Sequence, residues 1–230
     1  YLPNGAPDPS FGLNGKALLS YRDTSSQTFT DLEWLTDGRI LMLSTFFEKG
    51  SNYVHLARLK ANGQRDSTFG TNGFVLETAT AETSIALEVG NDGMIWVLSR
   101  GLSPSGKTFN ILSKFNPDGG KNTSWAQNGR LTLPDQYPFY DDVTIRQGKI
   151  LLAATGDQMG LGSHVVGRLN LDGSDDLSFG AGGWVEIPTT YPDAFVTKVA
   201  VTDSGDILAL GGTLDAQLLG QPALFRLKSD

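Results

Sequence analysis

The stretch Asp66-Ser67-Thr68-Phe69-Gly70-Thr71-Asn72-Gly73 has three close copies elsewhere in this chain of 230 residues. The copies occupy residues 8–15, 122–129 and 176–183, and their aromatic residues are Phe11, Trp125 and Phe179. Successive aromatics are separated by 58, 56 and 54 residues. A period near 50 residues is typical of propeller blades. The spacing predicts one domain over residues 1–230, with repeat units at about 22–78, 79–133, 134–187 and 188–230 plus 8–21.

The residues that follow each copy of the motif show a pattern typical of four strands, and those after the copy at 66–73 illustrate it. A short apolar run at 74–78 predicts an outer strand, and the alternating run at 85–89 predicts a strand with one buried face. The turn Asp92-Gly93 follows, with glycine at the position that needs positive φ in a tight hairpin. Residues 95–98 are continuously apolar, which predicts a strand covered on both faces. The fourth strand ends at Lys114-Phe115.

These repeats predict an all-β fold, a β-propeller of four repeats of about 56 residues, each with four antiparallel strands. The run at 16–21 has no inner strands of its own, and the last three strands, which end at Leu227, have no outer strand. Pairing the N-terminal outer strand with the C-terminal blade closes the ring and removes exposed edges. Two alternatives stay open: two chains that close one eight-bladed ring, and a fragment of a longer array.

A basic residue and an acidic residue recur at a constant spacing around the connector. The basic residues Arg58 and Arg168 each precede the next motif aromatic by 11 residues, as does Lys114. We expect Arg58 to pair with Asp66, and Arg168 with Asp176, although independent surface residues would show the same spacing. The third copy of the motif has Trp125-Ala126 in place of Phe-Gly, and its repeat has Gln147 in place of Asp. These departures predict distorted turns there.

The repeat resembles the delta-60 repeat family of bacterial β-propeller proteins. The residues that carry this resemblance are Asp37-Gly38-Arg39-Ile40, Arg58-Leu59 and the motif at 66–73, with comparable sets over essentially the whole chain. The resemblance implies a propeller fold. The matching motifs are structural, and the family implies no established chemistry.

Composition narrows the classes of function. The net charge of -7 and the scattered 18 Lys and Arg disfavour nucleic acid as a partner. The chain has no cysteine, which excludes disulfides and thiolate chemistry. No run approaches the length of a membrane span. Because the chain starts at Tyr1 without methionine, we expect a processed bacterial protein that is secreted or periplasmic.

The sequence shows no catalytic set. His55 and His164 lie in fourth strands of different repeats, and no serine lies in a nucleophile elbow. The acidic loop 172–176 lacks the spaced ligands of a calcium loop, so we expect no cofactor. The innermost strands would line a mildly acidic channel that can hold water or a cation, although the simpler interpretation is a channel that holds solvent alone. Its predicted lining residues are Glu33, Glu88, Asp142 and Lys198.

Aromatic residues cluster in the loops of one face. The candidate binding residues are Tyr137, Phe139, Tyr140, Tyr191, Phe195 and Tyr53. Tyrosines on proline-stiffened loops suit recognition because little entropy is lost on binding; the alternative is that they pack over the blade ends. These residues predict a non-catalytic binding or scaffolding module, monomeric or a two-chain ring, for a protein or glycan. The alternative is a carbohydrate-active enzyme that uses Asp141, Asp142 and Asp193 at the channel mouth.

Overall fold

The computed structural model describes residues 1–19, 21, 26–77, 82–158, 161–187, 189, 193–214 and 220–228, and for residues 157, 158, 161 and 193 it describes the backbone alone. The described residues form four antiparallel sheets, which we call blades 1 to 4. Blade 1 contains β1 (Ser26–Trp34), β2 (Ile40–Glu48), β3 (Ser51–Leu59) and β4 (Phe74–Leu76). Blade 2 contains β5 (Glu82–Val89), β6 (Ile95–Leu102), β7 (Thr108–Phe115) and β8 (Arg130–Thr132). Blade 3 contains β9 (Phe139–Arg146), β10 (Lys149–Gln158), β11 (Leu161–Asn170) and β12 (Trp184–Ile187). Blade 4 contains β13 (Asp193–Val201), β14 (Ile207–Leu214) and β15 (Gly220–Leu227).

The strands of each blade lie side by side in chain order, as the pattern of turns predicts. The all-β prediction and the four-stranded antiparallel units are therefore confirmed. Each innermost strand has a bulge at the same repeat position, at Thr30, Ile85, Asp141 and Thr197. A bulge bends its strand and re-aims the side chains beside it. Across each bulge the inner strand keeps pairing with the second strand of its blade.

The core lies between neighbouring blades. The cluster between blades 1 and 2 joins Leu43 and Leu56 of blade 1 to Leu87 and Val97 of blade 2, with Phe69 of the connecting motif among them. Phe179 enters the cluster between blades 3 and 4 in the same way. The motif aromatic therefore seals the interface between one blade and the next. This placement explains why every copy of the motif has an aromatic residue at this position.

One backbone hydrogen bond joins the connector motif to the following blade, and another closes the motif on itself. The amide of Gly70 donates to the carbonyl of Asp118 (2.7 Å), and the amide of Gly73 donates to the carbonyl of Phe69 (2.8 Å). In the third copy the amide of Gly129 donates to the carbonyl of Trp125 at 2.7 Å. Ala126 adopts φ of 44°, close to the 50° of Gly70. For the motif the expectation of a distorted turn is wrong, because Ala126 accepts the left-handed conformation. For the hairpin turn at Gln147 the expectation is confirmed: β9 ends at Arg146 and β10 begins at Lys149, whereas the corresponding turns of the other blades span five residues, at 35–39, 90–94 and 202–206.

The expected pairs between basic and acidic residues form in blades 1 and 3. Nε of Arg58 donates to Oδ2 of Asp66 at 2.8 Å, and Nε of Arg168 donates to Oδ2 of Asp176 at 2.8 Å. Oδ1 of Asp66 is occupied by the backbone and hydroxyl of Thr68. The arginine therefore binds one oxygen of the carboxylate, not both. In blade 2, Lys114 lies over the ring of Trp96 instead.

Among the described residues the structure shows no closed ring, so the predicted pairing of the N-terminal outer strand with blade 4 is not present there. Blade 4 has three strands, and β15 forms its outer edge. The N-terminal copy of the motif is attached to blade 1, where the amide of Gly12 donates to the carbonyl of Asn62 (2.7 Å). The side chain of Arg226, at the end of β15, binds Asp206 of its own blade (Nε to Oδ2, 2.8 Å). The four blades form an open arc.

Candidate functional site

The innermost strands β1, β5, β9 and β13 carry the charged residues predicted to line the channel. Each of three carboxylates accepts a hydrogen bond from the backbone of the next blade. Asp31 accepts from the amide of Leu87 (3.0 Å), and Asp142 accepts from the amide of Val199 (2.9 Å). Blade 2 has Ala86 at the equivalent position, and Glu88 accepts from the amide of Ile145 instead (3.1 Å). These carboxylates therefore hold neighbouring blades together.

Glu33 differs from the other acidic residues of this inner surface. Its pKa is raised to about 7, first by burial and then by the negative charges of Glu88 and Asp31. Burial also raises the pKa of Glu88, although the amide of Ile145 and the hydroxyl of Thr144 lower it in part. The inner surface of blades 1 and 2 thus contains a carboxyl that changes its charge near neutral pH. Such a group can donate or accept a proton at physiological pH.

Asp142 and Lys198 form an ion pair between blades 3 and 4, with Nζ of Lys198 2.8 Å from Oδ1 of Asp142. Burial raises the pKa of Asp142, and this effect exceeds the lowering by the lysine and by the amide of Val199. For Lys198, burial lowers the pKa, but the bond to Asp142 and the negative charges of Asp142, Asp31 and Glu88 together outweigh it, so the net shift is upward. Asp142 therefore serves as a structural link, and Lys198 offsets its charge.

No group of three or more His, Cys, Asp or Glu in the described ranges is placed to hold a metal ion. In the acidic loop 172–176, Oδ1 of Asp172 accepts from the backbone and hydroxyl of Ser174. Asp175 accepts from the indole of Trp184, and Asp176 binds Arg168 and Lys149. The carboxylates of this loop are used for turns and ion pairs.

Two of the predicted binding tyrosines are buried. Tyr137 packs against Trp184 with ring centroids 4.9 Å apart, and its hydroxyl donates to Glu186 (2.8 Å). Tyr140 has no exposed surface, and its hydroxyl donates to the carbonyl of Pro134 (3.0 Å). The expectation that these two side chains are exposed contacts is wrong, because the neighbouring outer strand β12 covers them. They instead fix the loop between β8 and β9.

Phe139 lies on the surface of the same loop face and is 45% exposed. The guanidinium of Arg100 lies over its ring, 5.0 Å from the centroid. Nη2 of Arg100 donates to the carbonyl of Tyr140 (2.8 Å) and to Oδ1 of Asp141 (2.9 Å). Asn110 accepts from Nε of Arg100 at 3.2 Å. We call Phe139, Arg100 and Asp141 the Phe139 patch; it joins an aromatic ring to charged groups held in fixed positions.

The other candidate residues have different surroundings. Phe195 and Tyr53 are partly exposed, and Tyr53 packs edge-on against Phe46. Tyr191 lies outside the described residues, as does the side chain of Asp193. Asp141, a predicted catalytic carboxylate, is engaged by Arg100. Sequence reasoning missed Arg100 as a site residue because its repeat position gave no signal; its role depends on contact between blades 2 and 3.

The two histidines are buried in the sheets. Nδ1 of His55 lies 3.0 Å from the hydroxyl of Ser44, and burial lowers the pKa of His55 to about 4. Nε2 of His164 donates to the carbonyl of Gly212 (3.1 Å). Ser44 is itself buried, so the pair of Ser44 and His55 is closed to a substrate. Within the described ranges, no helix is long and apolar enough to cross a membrane.

The fold and its inner surface thus define a propeller-like all-β protein. A family model described as "Domain of unknown function (DUF5122) beta-propeller" matches residues 35–69. A comparison with curated proteins gave no match. Among solved structures, the chain is similar to a GH43 endo-arabinanase from Bacillus licheniformis, with 16% identity, a TM-score of 0.50 and coverage of 87% of this chain and 73% of that chain. An endo-arabinase from Bacteroides thetaiotaomicron shows 11% identity, a TM-score of 0.49 and coverage of 87% and 74%. At 16% identity the likeness to the Bacillus licheniformis structure concerns the fold alone.

Proposed function

We propose that this chain is an exported, non-catalytic binding module that recognises a glycan or protein through its loop face. The observation that carries this proposal is the Phe139 patch, in which an exposed ring is held beside fixed charged groups. An aromatic side chain offers a large apolar surface at little entropic cost, and Arg100 and Asp141 supply polar contacts around it. Because its partners already fix the arginine, the patch needs little reordering when a ligand binds.

The charge of the chain favours a neutral ligand. With a net charge of -7, the protein repels acidic polysaccharides. A neutral glycan can stack a sugar ring on Phe139 and bond to Arg100 and Asp141. The similar protein from Bacillus licheniformis is an endo-arabinanase, and a neutral arabinan is therefore included among the probes.

The test is affinity electrophoresis of the full chain in gels that contain arabinan, xylan, β-glucan or an acidic pectin. We expect retardation by a neutral polysaccharide and its loss in Phe139→Ala. Phe47→Ala is the matched control, because Phe47 is 50% exposed and belongs to blade 1, away from the patch. Retardation that is equal in both variants contradicts the assignment of the patch. Absence of retardation by all four probes removes the glycan as ligand and leaves the protein partner.

A second candidate function, glycoside cleavage, is favoured by the pKa of Glu33. A carboxyl that is protonated near neutral pH suits a general acid, and Glu88 on the next inner strand is the second carboxyl that such cleavage requires. We propose Glu33 as the acid in that reaction. The test is reducing-sugar release from the same polysaccharides by the wild type and by Glu33→Gln. If the wild type releases no sugar, this candidate is rejected.

A further inference from the structure

A cavity of about 210 Å³ lies between blades 1 and 2, apart from the Phe139 patch. Residues of the turns at 35–39 and 90–94 form its sides. These turns follow β1 and β5, whereas Phe139 begins β9, so the cavity and the patch lie at opposite ends of the blades. At ~30 Å³ for each water molecule, the volume corresponds to about seven waters. The cavity therefore has the size of a small organic molecule.

One part of the cavity wall is apolar. Leu35 and Val89 line the cavity and pack against the core cluster between blades 1 and 2, and Ile95 of that cluster lines it too. Pro117 also contributes to the wall. Small-molecule sites combine such apolar walls with a few placed polar groups. This wall therefore suits a ligand with a hydrocarbon or aromatic body.

The two arginines that line the cavity already have counter-ions. Nη2 of Arg39 lies 2.6 Å from Oδ2 of Asp37, and Nε of Arg39 donates to the same oxygen at 2.7 Å. Nε of Arg58 donates to Oδ2 of Asp66 at 2.8 Å, and its Nη1 donates to the carbonyl of Pro117 at 2.5 Å. An anionic ligand would have to displace a carboxylate that already binds a guanidinium. The arginines therefore do not make the cavity a site for anions.

Glu33 is the charged group of the cavity without a counter-ion. In the described ranges its carboxyl has neither a hydrogen-bond donor nor an ion-pair partner. Glu88, at the same repeat position of blade 2, accepts from the amide of Ile145 (3.1 Å) and from the hydroxyl of Thr144 (3.0 Å). At the junction of blades 1 and 2, Glu88 occupies the position that Thr144 has at the next junction. Glu33 thus meets a like charge where Glu88 meets a hydroxyl.

We propose that this cavity binds a small primary amine in its ammonium form, with the ammonium on the Glu33 carboxyl and the apolar body against Leu35 and Val89. The surroundings select a cation, because the groups that act on Glu33 through space are mainly acidic; they are Asp31, Glu88, Asp142 and Lys198. An ammonium also brings the hydrogen-bond donors that Glu33 lacks. A neutral ligand would leave the carboxyl without a counter-ion. The cavity is separate from the loop face, so it can be tested independently of the proposed glycan site.

The first test is calorimetric titration of the full chain at pH 8 with three probes of similar shape: phenethylamine, phenethyl alcohol and hydrocinnamate. We expect the amine to bind more tightly than the alcohol and the acid. Glu33→Gln should weaken the amine about tenfold, because a charged hydrogen bond is lost, and should leave amine and alcohol with similar affinity. Glu48→Gln is the matched control, since it removes the same charge at the other end of β2, and it should bind as the wild type does. Equal affinity of the wild type for amine and alcohol, preference for hydrocinnamate, or binding of none of the three overturns the proposal.

The second test is the pH dependence of amine binding to the wild type, which decides the matter even if circular dichroism shows that Glu33→Gln does not fold. The charged groups around Glu33 are Asp31, Glu88, Asp142 and Lys198 on the inner strands, and Asp37, Arg39, Arg58 and Asp66 at the cavity. A cation prefers the ionised carboxyl, so the affinity should rise from pH 5.5 to 8, through the pKa of about 7 of Glu33. The amine stays protonated over this range because the pKa of an alkylammonium is about 10. Titrations at pH 7 in two buffers of different ionisation enthalpy should show release of about half a proton per ligand. An affinity that is the same at both ends of the range contradicts binding on Glu33.

Discussion

Phe69 gives the sharpest test of how the blades are held together. The side chain has 0% exposed surface and lies between blades 1 and 2. The guanidinium of Arg58 lies 4.5 Å from its ring centroid, and Gly119 of blade 2 leaves room for the ring edge. Removing the ring opens a cavity that the two rigid sheets cannot fill. Phe69→Ala should therefore lower the free energy of unfolding by about 3–5 kcal/mol.

The matched control is Phe11→Ala, which changes the same residue of the N-terminal motif copy. Phe11 is only partly buried. Its loss should cost about 1 kcal/mol. The measurement is urea unfolding followed by circular dichroism, at concentrations where the protein is a monomer. A cost below about 1 kcal/mol for Phe69→Ala, or equal costs for both variants, would refute the sealing role of the motif aromatic.

Three further outcomes are expected from the charges and the backbone. Burial raises the pKa of Asp66, but bonds from Thr68 and Arg58 outweigh burial and lower that pKa to about 2 from 3.8. The resulting contribution to stability is present above pH 3.8 and is lost as the pH falls through about 2. Urea unfolding midpoints at pH 7 and 2.5 should therefore show that Asp66→Asn is less stable than the wild type at pH 7 and loses less stability in acid. The pKa of Glu33 is raised to about 7 from 4.5, so the free energy of unfolding should fall as the pH rises from 4.5 through about 7. Glu33→Gln should make the free energy of unfolding less dependent on pH over this range in the same assay, and an unchanged dependence would contradict the raised pKa of Glu33. Ala126→Gly should stabilise the protein by about 1 kcal/mol in urea unfolding because it relieves the left-handed alanine, and a destabilised variant would show that Ala126 is not strained.

The strands were predictable from the sequence because local signals agree. In repeat 2, the alternation at 85–89, the turn Asp92-Gly93 and the apolar run at 95–98 each specify their own strand or turn, and β5 and β6 form there. The pairing of Arg58 with Asp66 followed from constant spacing alone. Such features depend on residues close in the chain or at fixed repeat positions, which a pattern can report.

Features that depend on contact between blades were not predictable. Tyr137 and Tyr140 were expected on the surface, but their burial depends on Trp184 of β12, which lies far along the chain. The contact between Arg100 and Phe139 likewise joins two blades. Closure of the ring depends on the angle between sheets, which alternation and turn residues do not encode. A repeat pattern thus specifies the blade more completely than the arrangement of blades.

The carboxylates that join neighbouring inner strands bear on how such a chain can be rearranged by evolution or engineering. Asp31 and Asp142 reach the next blade from one repeat position, but blade 2 has Ala86 there and reaches it through Glu88, two residues later. The acceptor on one blade and the amide it meets on the next therefore form a matched set that differs from junction to junction. Exchanging or duplicating a blade would separate these sets, so blades of this chain should transplant in adjacent pairs and not singly.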